Sequence, residues 1–323
     1  MTEKSTLEYL PIMMDIDSSK IKDAMRCMRY YLYRHIFGWQ GGESNHDLVF
    51  GSAWHEAKAY MLINGMQPGW IDHAMEAFNK VYRESFDPIT DLDMYPKSPA
   101  GAYEALQLYE TSNMGEPLTA VTIQGKPAVE IFGTVVIGPS RKLLFKMDGI
   151  VNTAQDLPAF IDHKSSKSDN PLYQSIYSIS TQMMTYYHAL ACLMGHIDHV
   201  YGGLVDVTIF RRKGHAHHRI PIRKTLPMME EWLANVNWWY DLIEKNTNDL
   251  FNNIDRLTNN NVINLFPRCD PGCTAYYREC PYYNMCIAWP NPLQHLDSIP
   301  THMERKFWSP KDEEKKARMV VEA

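Results

Sequence analysis

The chain has 323 residues, of which 45% are hydrophobic and 22% are charged, a balance typical of globular proteins with a sizeable core. It contains no run of about 18 apolar residues, so no transmembrane helix is expected, and its first residues lack the basic and apolar regions of a signal peptide. We therefore expect a cytoplasmic protein. The net charge of −6 argues against non-specific coating of nucleic acid, although it is compatible with a local basic groove.

The first third of the chain is predicted to be helical. Asp17 is a suitable N-cap, and Gly38 marks the end of the first amphipathic stretch. The periodicity predicts helices over residues 20–37, 50–63, 70–85 and 101–111.

Strand patterns follow, and they alternate with two further helices. Strands are predicted over residues 119–123, 128–137, 143–151, 159–164, 203–211 and 217–222, and helices over 172–194 and 226–245. This order predicts an α/β fold, in which helices flank a mixed central β-sheet.

A single domain is expected over residues 1–310. It would comprise a helical part at about 1–115, a catalytic core at about 116–250 and a cysteine segment at about 265–290. Residues 311–323 form a charged tail that is expected to fray.

Two acids and a lysine lie at the ends of two consecutive apolar segments that are predicted to be strands. The residues are Asp148 and, fourteen positions later, Asp162 and Lys164, with a turn-rich stretch between the two apolar segments. This hairpin pattern predicts that the acids lie on adjacent strands, with Lys164 on the same face as Asp162. Two carboxylates and a lysine in this arrangement can hold a divalent metal ion and orient water towards a phosphate.

The acid-X-lysine triplet alone is weak evidence. A chain of this length is expected to contain about one or more by chance, and Glu56-Ala57-Lys58 and Glu304-Arg305-Lys306 have the same form. The apolar strand before Asp162 and the second acid distinguish this triplet. An exposed charge cluster at a hairpin end is the alternative interpretation.

The cysteines indicate a second site. Four thiols, those of Cys269, Cys273, Cys280 and Cys286, lie within eighteen residues, which is unusual in a cytosolic chain and favours a metal or cluster site over a disulfide framework. The gaps of three, six and five residues suit structural zinc poorly and favour a larger iron–sulfur cluster, although zinc is the open alternative. Cys192, in an apolar helical run, is predicted to be a core residue.

Nucleic-acid contacts are the least determined feature. Arg211, Arg212 and Lys213 form a basic hairpin tip that can grip backbone phosphates, and a solvated tip is the alternative. A second candidate is a set of arginines on the first helix, namely Arg26, Arg29 and Arg34.

Several further residues are weak evidence singly but point to a protein family in combination. They are Cys27, His55 early in a helix, and Gln182 and Tyr186, which are four residues apart and share a helical face. With Asp148, the Asp162-His163-Lys164 triplet and the cysteine segment, they occur in the order typical of the RecB-like branch of the PD-(D/E)XK nuclease superfamily. Over about residues 20–290 the chain resembles that branch, especially its iron–sulfur members among phage exonucleases and CRISPR-adaptation nucleases.

The resemblance implies a restriction-endonuclease-like core and a role for each residue. His55, Asp148, Asp162 and the main-chain carbonyl of His163 would bind Mg²⁺ or Mn²⁺, and Lys164 would be the catalytic lysine. Gln182 and Tyr186 would flank the site. A [4Fe–4S] cluster would be bound by Cys27, Cys273, Cys280 and Cys286. Cys269 is an extra thiol that could replace Cys27.

The function implied is that of a metal-dependent deoxyribonuclease, an exonuclease rather than an endonuclease, in recombination, repair or phage DNA metabolism. Its partner would be single-stranded DNA or duplex ends, in the host cytoplasm if the protein is phage-encoded. A recombination or single-strand-binding protein partner and an oligomer are compatible with this function. The alternative is a non-catalytic DNA-binding or scaffold component that retains the nuclease fold.

Overall fold

The computed structural model describes residues 14–41, 45–113, 118–168, 170–252, 264–274, 279–296 and 298–323. The chain divides into two compact units. The cysteine unit consists of Met1–Glu43, Val136–Leu144 and Glu230–Glu313, and the sheet unit consists of Ser44–Val135, Phe145–Met229 and Glu314–Ala323. The expected single nuclease domain stays a prediction.

Eleven α-helices are assigned among the described residues. They are α1 (Ser18–Arg26), α2 (Met28–Tyr31), α3 (His46–Asn64), α4 (Trp70–Tyr82), α5 (Asp91–Met94), α6 (Pro99–Asn113), α7 (Pro171–Ser175), α8 (Thr181–Leu193), α9 (Leu226–Asn252), α10 (Tyr283–Ala288) and α11 (Pro310–Lys316). Across the same described residues, no helix combines the length and the apolar character that crossing a membrane requires.

The strands form one large sheet and two small ones. They are β1 (Trp39–Gly41), β2 (Thr122–Ile123), β3 (Lys126–Pro127), β4 (Val129–Gly138), β5 (Arg141–Asn152), β6 (Pro158–Ser166), β7 (Gly202–Ile209), β8 (Ala216–Ile222), β9 (Met303–Arg305) and β10 (Met319–Glu322). The large sheet has the order β10-β4-β5-β6-β7-β8, while β1 pairs with β9 and β2 with β3. Strands β10 and β4 are parallel, as are β6 and β7, whereas β5–β6 and β7–β8 are antiparallel. The predicted α/β fold with a mixed sheet flanked by helices is confirmed.

An apolar stripe on α3 fixes this helix in the core of the sheet unit. Phe50, Ala53, Trp54 and Ala57 recur at the spacing of one helical face and are all fully buried. Ile161 of β6 belongs to the same buried cluster. The packing therefore holds α3 in a fixed register beside the strands that carry the predicted acids.

The cysteine unit has an aromatic core. Trp39 stacks on Tyr33 with ring centroids 5.5 Å apart, and the Tyr282 hydroxyl donates to the Trp39 carbonyl at 2.5 Å. Because both rings are fully buried, these contacts join the first helical stretch to the segment that carries the late cysteines.

The predicted helix over residues 20–37 is interrupted. Asp17 caps α1 as expected, accepting a hydrogen bond from the Lys20 N–H at 2.8 Å. Cys27 then adopts an extended backbone with φ −172° and ψ 119°, and the Arg29 N–H donates to the Pro267 carbonyl at 3.1 Å. This bond comes from a segment 238 residues later in the chain, so local periodicity could not reveal the break.

The predicted helix over residues 172–194 is also wrong as a single element. It consists of α7, a 3₁₀ turn at Ile176–Ile179 and α8, and Ser180 between the last two is extended. Serine and β-branched residues have low helix propensity, and the run from Ser178 to Thr181 consists only of them. The break starts α8 at Thr181, one residue before Gln182.

The charged tail is ordered rather than frayed. Residues 319–322 form β10, which pairs in parallel with β4, and Met319 and Val321 are buried while Val320 is exposed. The alternation of two apolar side chains stabilises an edge strand despite the charged residues before it. The expectation of a frayed end was therefore wrong.

Candidate functional site

The β5–β6 hairpin brings the predicted acids together. Gly149 pairs with Ile161 in antiparallel register, so Asp148 and Asp162 lie next to each other on adjacent strands, as predicted. Asp148 accepts a hydrogen bond from the His163 N–H at 2.6 Å. Both carboxylates are buried, with Asp148 7% and Asp162 1% exposed.

A cluster of possible metal ligands surrounds Asp148. One ligand atom each from His55, Glu130 and Asp148 lies within 4.8 Å of the other two, and His55 Nδ1 is 3.1 Å from Asp148 Oδ1. His55 is on α3, Glu130 on β4 and Asp148 on β5. One imidazole and two carboxylates suit a divalent ion such as Mn²⁺ or Mg²⁺.

Sequence reasoning missed Glu130. Glu130 is 5% exposed in the apolar strand Val129–Gly138, and a charged residue in such a strand was the available signal. Its backbone has φ +48°, in the left-handed region that residues other than glycine rarely adopt. Such a conformation persists where the surrounding structure enforces it, and functional sites are common locations.

Lys164 links the acids to helix α8. Its Nζ lies 2.8 Å from Asp162 Oδ2 and donates to Gln182 Oε1 at 3.5 Å. Gln182 Nε2 donates to the Tyr186 hydroxyl at 2.8 Å, and that hydroxyl donates to the Lys146 carbonyl of β5. The structure therefore brings Asp162, Lys164, Gln182 and Tyr186 into one chain of contacts.

Burial and neighbouring charges shift the pKa values of three carboxyl groups in the site. Burial raises the pKa of Asp162, since the Lys164 charge only partly offsets burial and the nearby Asp148 charge. Burial and the charge of Asp148 also raise the pKa of Glu130 above its usual value. At Asp148 the effect of burial is outweighed by His55, whose charge and hydrogen bond hold the pKa below its usual range. Several acids in so small a buried volume favour binding of a cation.

The side chain of His163 points away from this cluster, as strand alternation predicts. Its Nδ1 is 3.1 Å from Asp206 Oδ2 on β7, and the same oxygen is 3.1 Å from Lys58 Nζ on α3. All three side chains are buried. The role of the His163 carbonyl as a metal ligand stays a prediction.

The two arginine-rich candidates differ. Arg211, Arg212 and Lys213 are exposed after β7. On the first helical stretch, by contrast, Arg29 is buried and donates to the Phe266 carbonyl at 2.8 Å, and Arg26 donates to the Gly272 carbonyl at 3.1 Å. Arg26 and Arg29 thus make contacts inside the cysteine unit, whereas the Arg34 side chain is 40% exposed beside Asp23. A role for this set in nucleic-acid binding stays a prediction.

The late cysteines approach the first helical stretch. A Cβ at Gly272 would lie 3.0 Å from the Arg26 carbonyl oxygen and 3.5 Å from Cys27 Cβ, so Gly272 permits this close approach. Burial, followed by the nearby Cys27, Cys280 and Cys273 thiols, raises the pKa of Cys286 to about 11, with the Arg29 charge opposing.

These contacts do not show a metal site. Among the described residues, no three thiol sulfurs lie mutually within 4.8 Å. Cys269 contributes its carbonyl to the Cys273 thiol at 3.7 Å, and its role as an alternative ligand stays a prediction. Cys192 is exposed at the end of α8, so the prediction that it is a core residue was wrong.

No family model and no curated protein matches the chain. Among solved structures, the chain is similar to one described as the crystal structure of SSO0001. The two are 12% identical, the match covers 72% of this chain and 86% of that chain, and the TM-score is 0.26.

Proposed function

We propose that the protein is a metal-dependent DNA nuclease, and more specifically an exonuclease of recombination, repair or phage DNA metabolism. The observation that carries this proposal is that Asp162 and Lys164 lie on the strand next to Asp148. Asp148 in turn forms a cluster with His55 of α3 and Glu130 of β4. The resemblance of these residues to RecB-like nucleases, with their restriction-endonuclease-like core, supports it. A cytoplasmic location belongs to the same proposal.

The cluster offers the ligands that such a reaction needs. His55, Glu130 and Asp148 would hold a divalent ion, with Asp162 as a further oxygen ligand released from Lys164. Carboxylate oxygens suit Mg²⁺ or Mn²⁺, and the imidazole shifts the preference towards Mn²⁺. The bound ion would supply a nucleophilic water and offset charge on the phosphate.

Lys164 acts through its charge. The Lys164 ammonium group lies 2.8 Å from Asp162, so it would stabilise negative charge on the phosphate, and we favour this role over that of a general base. Gln182 accepts from its ammonium group, and Tyr186 holds the amide of Gln182 in turn. This chain of contacts keeps the ammonium group beside Asp162, where phosphate oxygens would lie.

A [4Fe–4S] cluster bound by Cys27, Cys273, Cys280 and Cys286 is the second part of the proposal. Two contacts bring these residues together: Gly272, next to Cys273, lies against Cys27, and the Cys280 N–H donates to the Cys273 carbonyl at 2.8 Å. The gaps of three, six and five residues between the four late cysteines favour this larger cluster over tetrahedral zinc. Its role would be to join the first helical stretch to the late cysteine segment.

Digestion of end-labelled DNA tests the nuclease. The wild-type protein, incubated with Mn²⁺ or Mg²⁺, should degrade linear single-stranded or duplex DNA and leave a single-stranded circle intact. Asp162→Asn should abolish the activity, whereas Lys126→Ala, an exposed lysine on β3, should not change it.

Two other results would change the interpretation. Cleavage of the circle would indicate an endonuclease. Tight DNA binding without metal-dependent cleavage would support the scaffold alternative and contradict the nuclease proposal.

A further inference from the structure

The catalytic strand and its neighbour end at the same edge of the sheet. Strands β6 and β7 are parallel, Ser166 pairs with Ile209, and the Phe210 N–H donates to the Ser166 carbonyl at 2.7 Å. Lys167 after β6 and Arg211 after β7 therefore emerge side by side. Lys167 is only three residues beyond Lys164, so at most about 10 Å of extended chain separates them.

A buried lysine reaches the same edge from the segment before α6. Lys97 is 5% exposed, and its Nζ donates to the Ser165 carbonyl at 3.3 Å. It lies 3.0 Å from Asp47 Oδ1, and Lys167 Nζ lies 3.4 Å from the same oxygen. One half-exposed carboxylate thus serves two ammonium groups, which leaves an excess of positive charge.

The β7–β8 hairpin extends this charge. Arg211, Arg212 and Lys213 are exposed, and the charge of Arg212 acts on Tyr95, whose hydroxyl donates to Glu104 at 3.0 Å. We call the four exposed cations Lys167, Arg211, Arg212 and Lys213 the basic edge, and Lys97 adds a buried positive charge next to it. Among the residues that the structure describes here, Asp47 pairs with Lys97 and Lys167, and Glu104 lies beside His215 and Tyr95. These cations outnumber those two acids, in a chain whose net charge is −6.

We infer that the basic edge binds the sugar–phosphate backbone of the DNA strand that leads into the site at Lys164. This inference rests on the proposed nuclease function. Each strand of B-form DNA carries one phosphate per about 3.4 Å of helix axis, so a contact within about 10 Å of Lys164 lies at most about three nucleotides from the reacting phosphate. Lysines and arginines that contact phosphates fix the register of the strand without reading its sequence.

The test compares two double variants that each remove one lysine and one arginine. Lys167→Ala/Arg212→Ala removes charge from the basic edge. The control, Lys126→Ala/Arg223→Ala, removes two exposed cations elsewhere in the sheet unit. Arg223 directly follows β8, and the last residue of β8 pairs near the start of β7. Arg223 therefore lies at the end of these strands opposite the basic edge. Equal thermal unfolding midpoints establish that both variants are folded.

Binding is measured by fluorescence anisotropy of a labelled single-stranded oligonucleotide, with EDTA present, over a range of salt concentrations. Loss of two phosphate contacts should reduce the slope of log K against log salt by about 1.4, at about 0.7 per contact. Affinity should fall about fivefold or more, and the matched control should behave as wild type. In cleavage assays with Mn²⁺ the edge variant should show a higher KM and an unchanged kcat.

The outcomes separate this inference from the proposed function. Wild-type affinity and salt slope in the edge variant would overturn the basic edge, whether or not the protein cleaves DNA. A salt slope that falls while no protein cleaves DNA would uphold the edge and contradict the nuclease. If the edge variant binds DNA as wild type does but loses affinity for polyglutamate, the basic edge would instead bind an acidic protein.

Discussion

Replacing Asp206 by asparagine should destabilise the sheet unit through Lys58. Asp206 is 2% exposed, and its carboxylate lies 3.1 Å from Lys58 Nζ and 3.1 Å from His163 Nδ1. Asparagine keeps the size and can still accept a hydrogen bond, but it removes the negative charge. Lys58, which is fully buried, would then have no neighbouring counter-charge at this position.

The magnitude follows from the distance. A pair 3.1 Å apart at an effective dielectric constant of about 20 has a Coulomb energy of about 5 kcal/mol. Breaking a buried pair by removing one partner costs about 3–5 kcal/mol, which is a large part of the 5–15 kcal/mol by which domains are typically stable. We expect Asp206→Asn to lower the free energy of unfolding by about 3 kcal/mol or more.

Urea denaturation followed by circular dichroism at pH 7 provides the measurement. The matched variants are Lys58→Met and Lys58→Met/Asp206→Asn. The double variant should be more stable than Asp206→Asn, because it removes the buried ammonium group as well.

The pH adds a second readout. Burial lowers the pKa of Lys58 to about 8, although the Asp206 charge opposes this shift. Replacing Asp206 by asparagine removes that opposing charge and would lower the pKa of Lys58 further. The folded variant would then bind fewer protons than the unfolded chain at neutral pH, and its stability deficit should shrink as the pH rises from 7 to above 8. A cost below about 1 kcal/mol, or single-variant costs that simply add, would refute the reasoning.

Three further predictions follow. Burial lowers the pKa of His217 from 6.5 to about 4. The stability that depends on neutral His217 is therefore fully present above pH 6.5, and on the order of 3 kcal/mol of it is lost as the pH falls to 4. In urea titrations at pH 7 and 5, His217→Gln should lose less stability than wild type, and an equal loss would contradict this. Glu130→Gln should weaken Mn²⁺ binding at least tenfold in calorimetric titration, since it removes one charged ligand; unchanged affinity would exclude Glu130 from the site. Cys27→Ser should abolish the visible absorption and iron content of anaerobically purified protein, whereas Cys269→Ser should not; the reverse would make Cys269 the fourth ligand, and zinc without iron in wild type would exclude the cluster.

The hairpin and its acids could be predicted because they depend on local pattern. Alternation of apolar residues up to Asp148 and Asp162 specifies two strands and the face on which Lys164 lies. The wrong predictions depend on distant contacts. The break at Cys27 is accompanied by a bond to Pro267, and the ordered end of the chain pairs with β4, and neither is visible in a local window.

The residues that sequence reasoning missed are buried charges. Glu130 and Asp206 lie in strands whose apolar neighbours indicate burial, but nothing local reveals which partners neutralise them. Lys58 belongs to a triplet that was set aside as chance, and it proved to be the partner of Asp206. Lys58 lies on α3 and Asp206 on β7, so only the packing of that helix on the sheet brings the two charges together.

The most direct test of the central claim is the rate at which Mn²⁺-loaded protein releases label from end-labelled linear DNA, with Lys164→Ala and Lys126→Ala measured beside wild type. Removing a charge that stabilises the reacting phosphate should lower kcat by about 10²-fold or more, whereas loss of the exposed Lys126 should leave it unchanged. Equal rates for wild type and Lys164→Ala, or no release by any of the three proteins, would contradict the account.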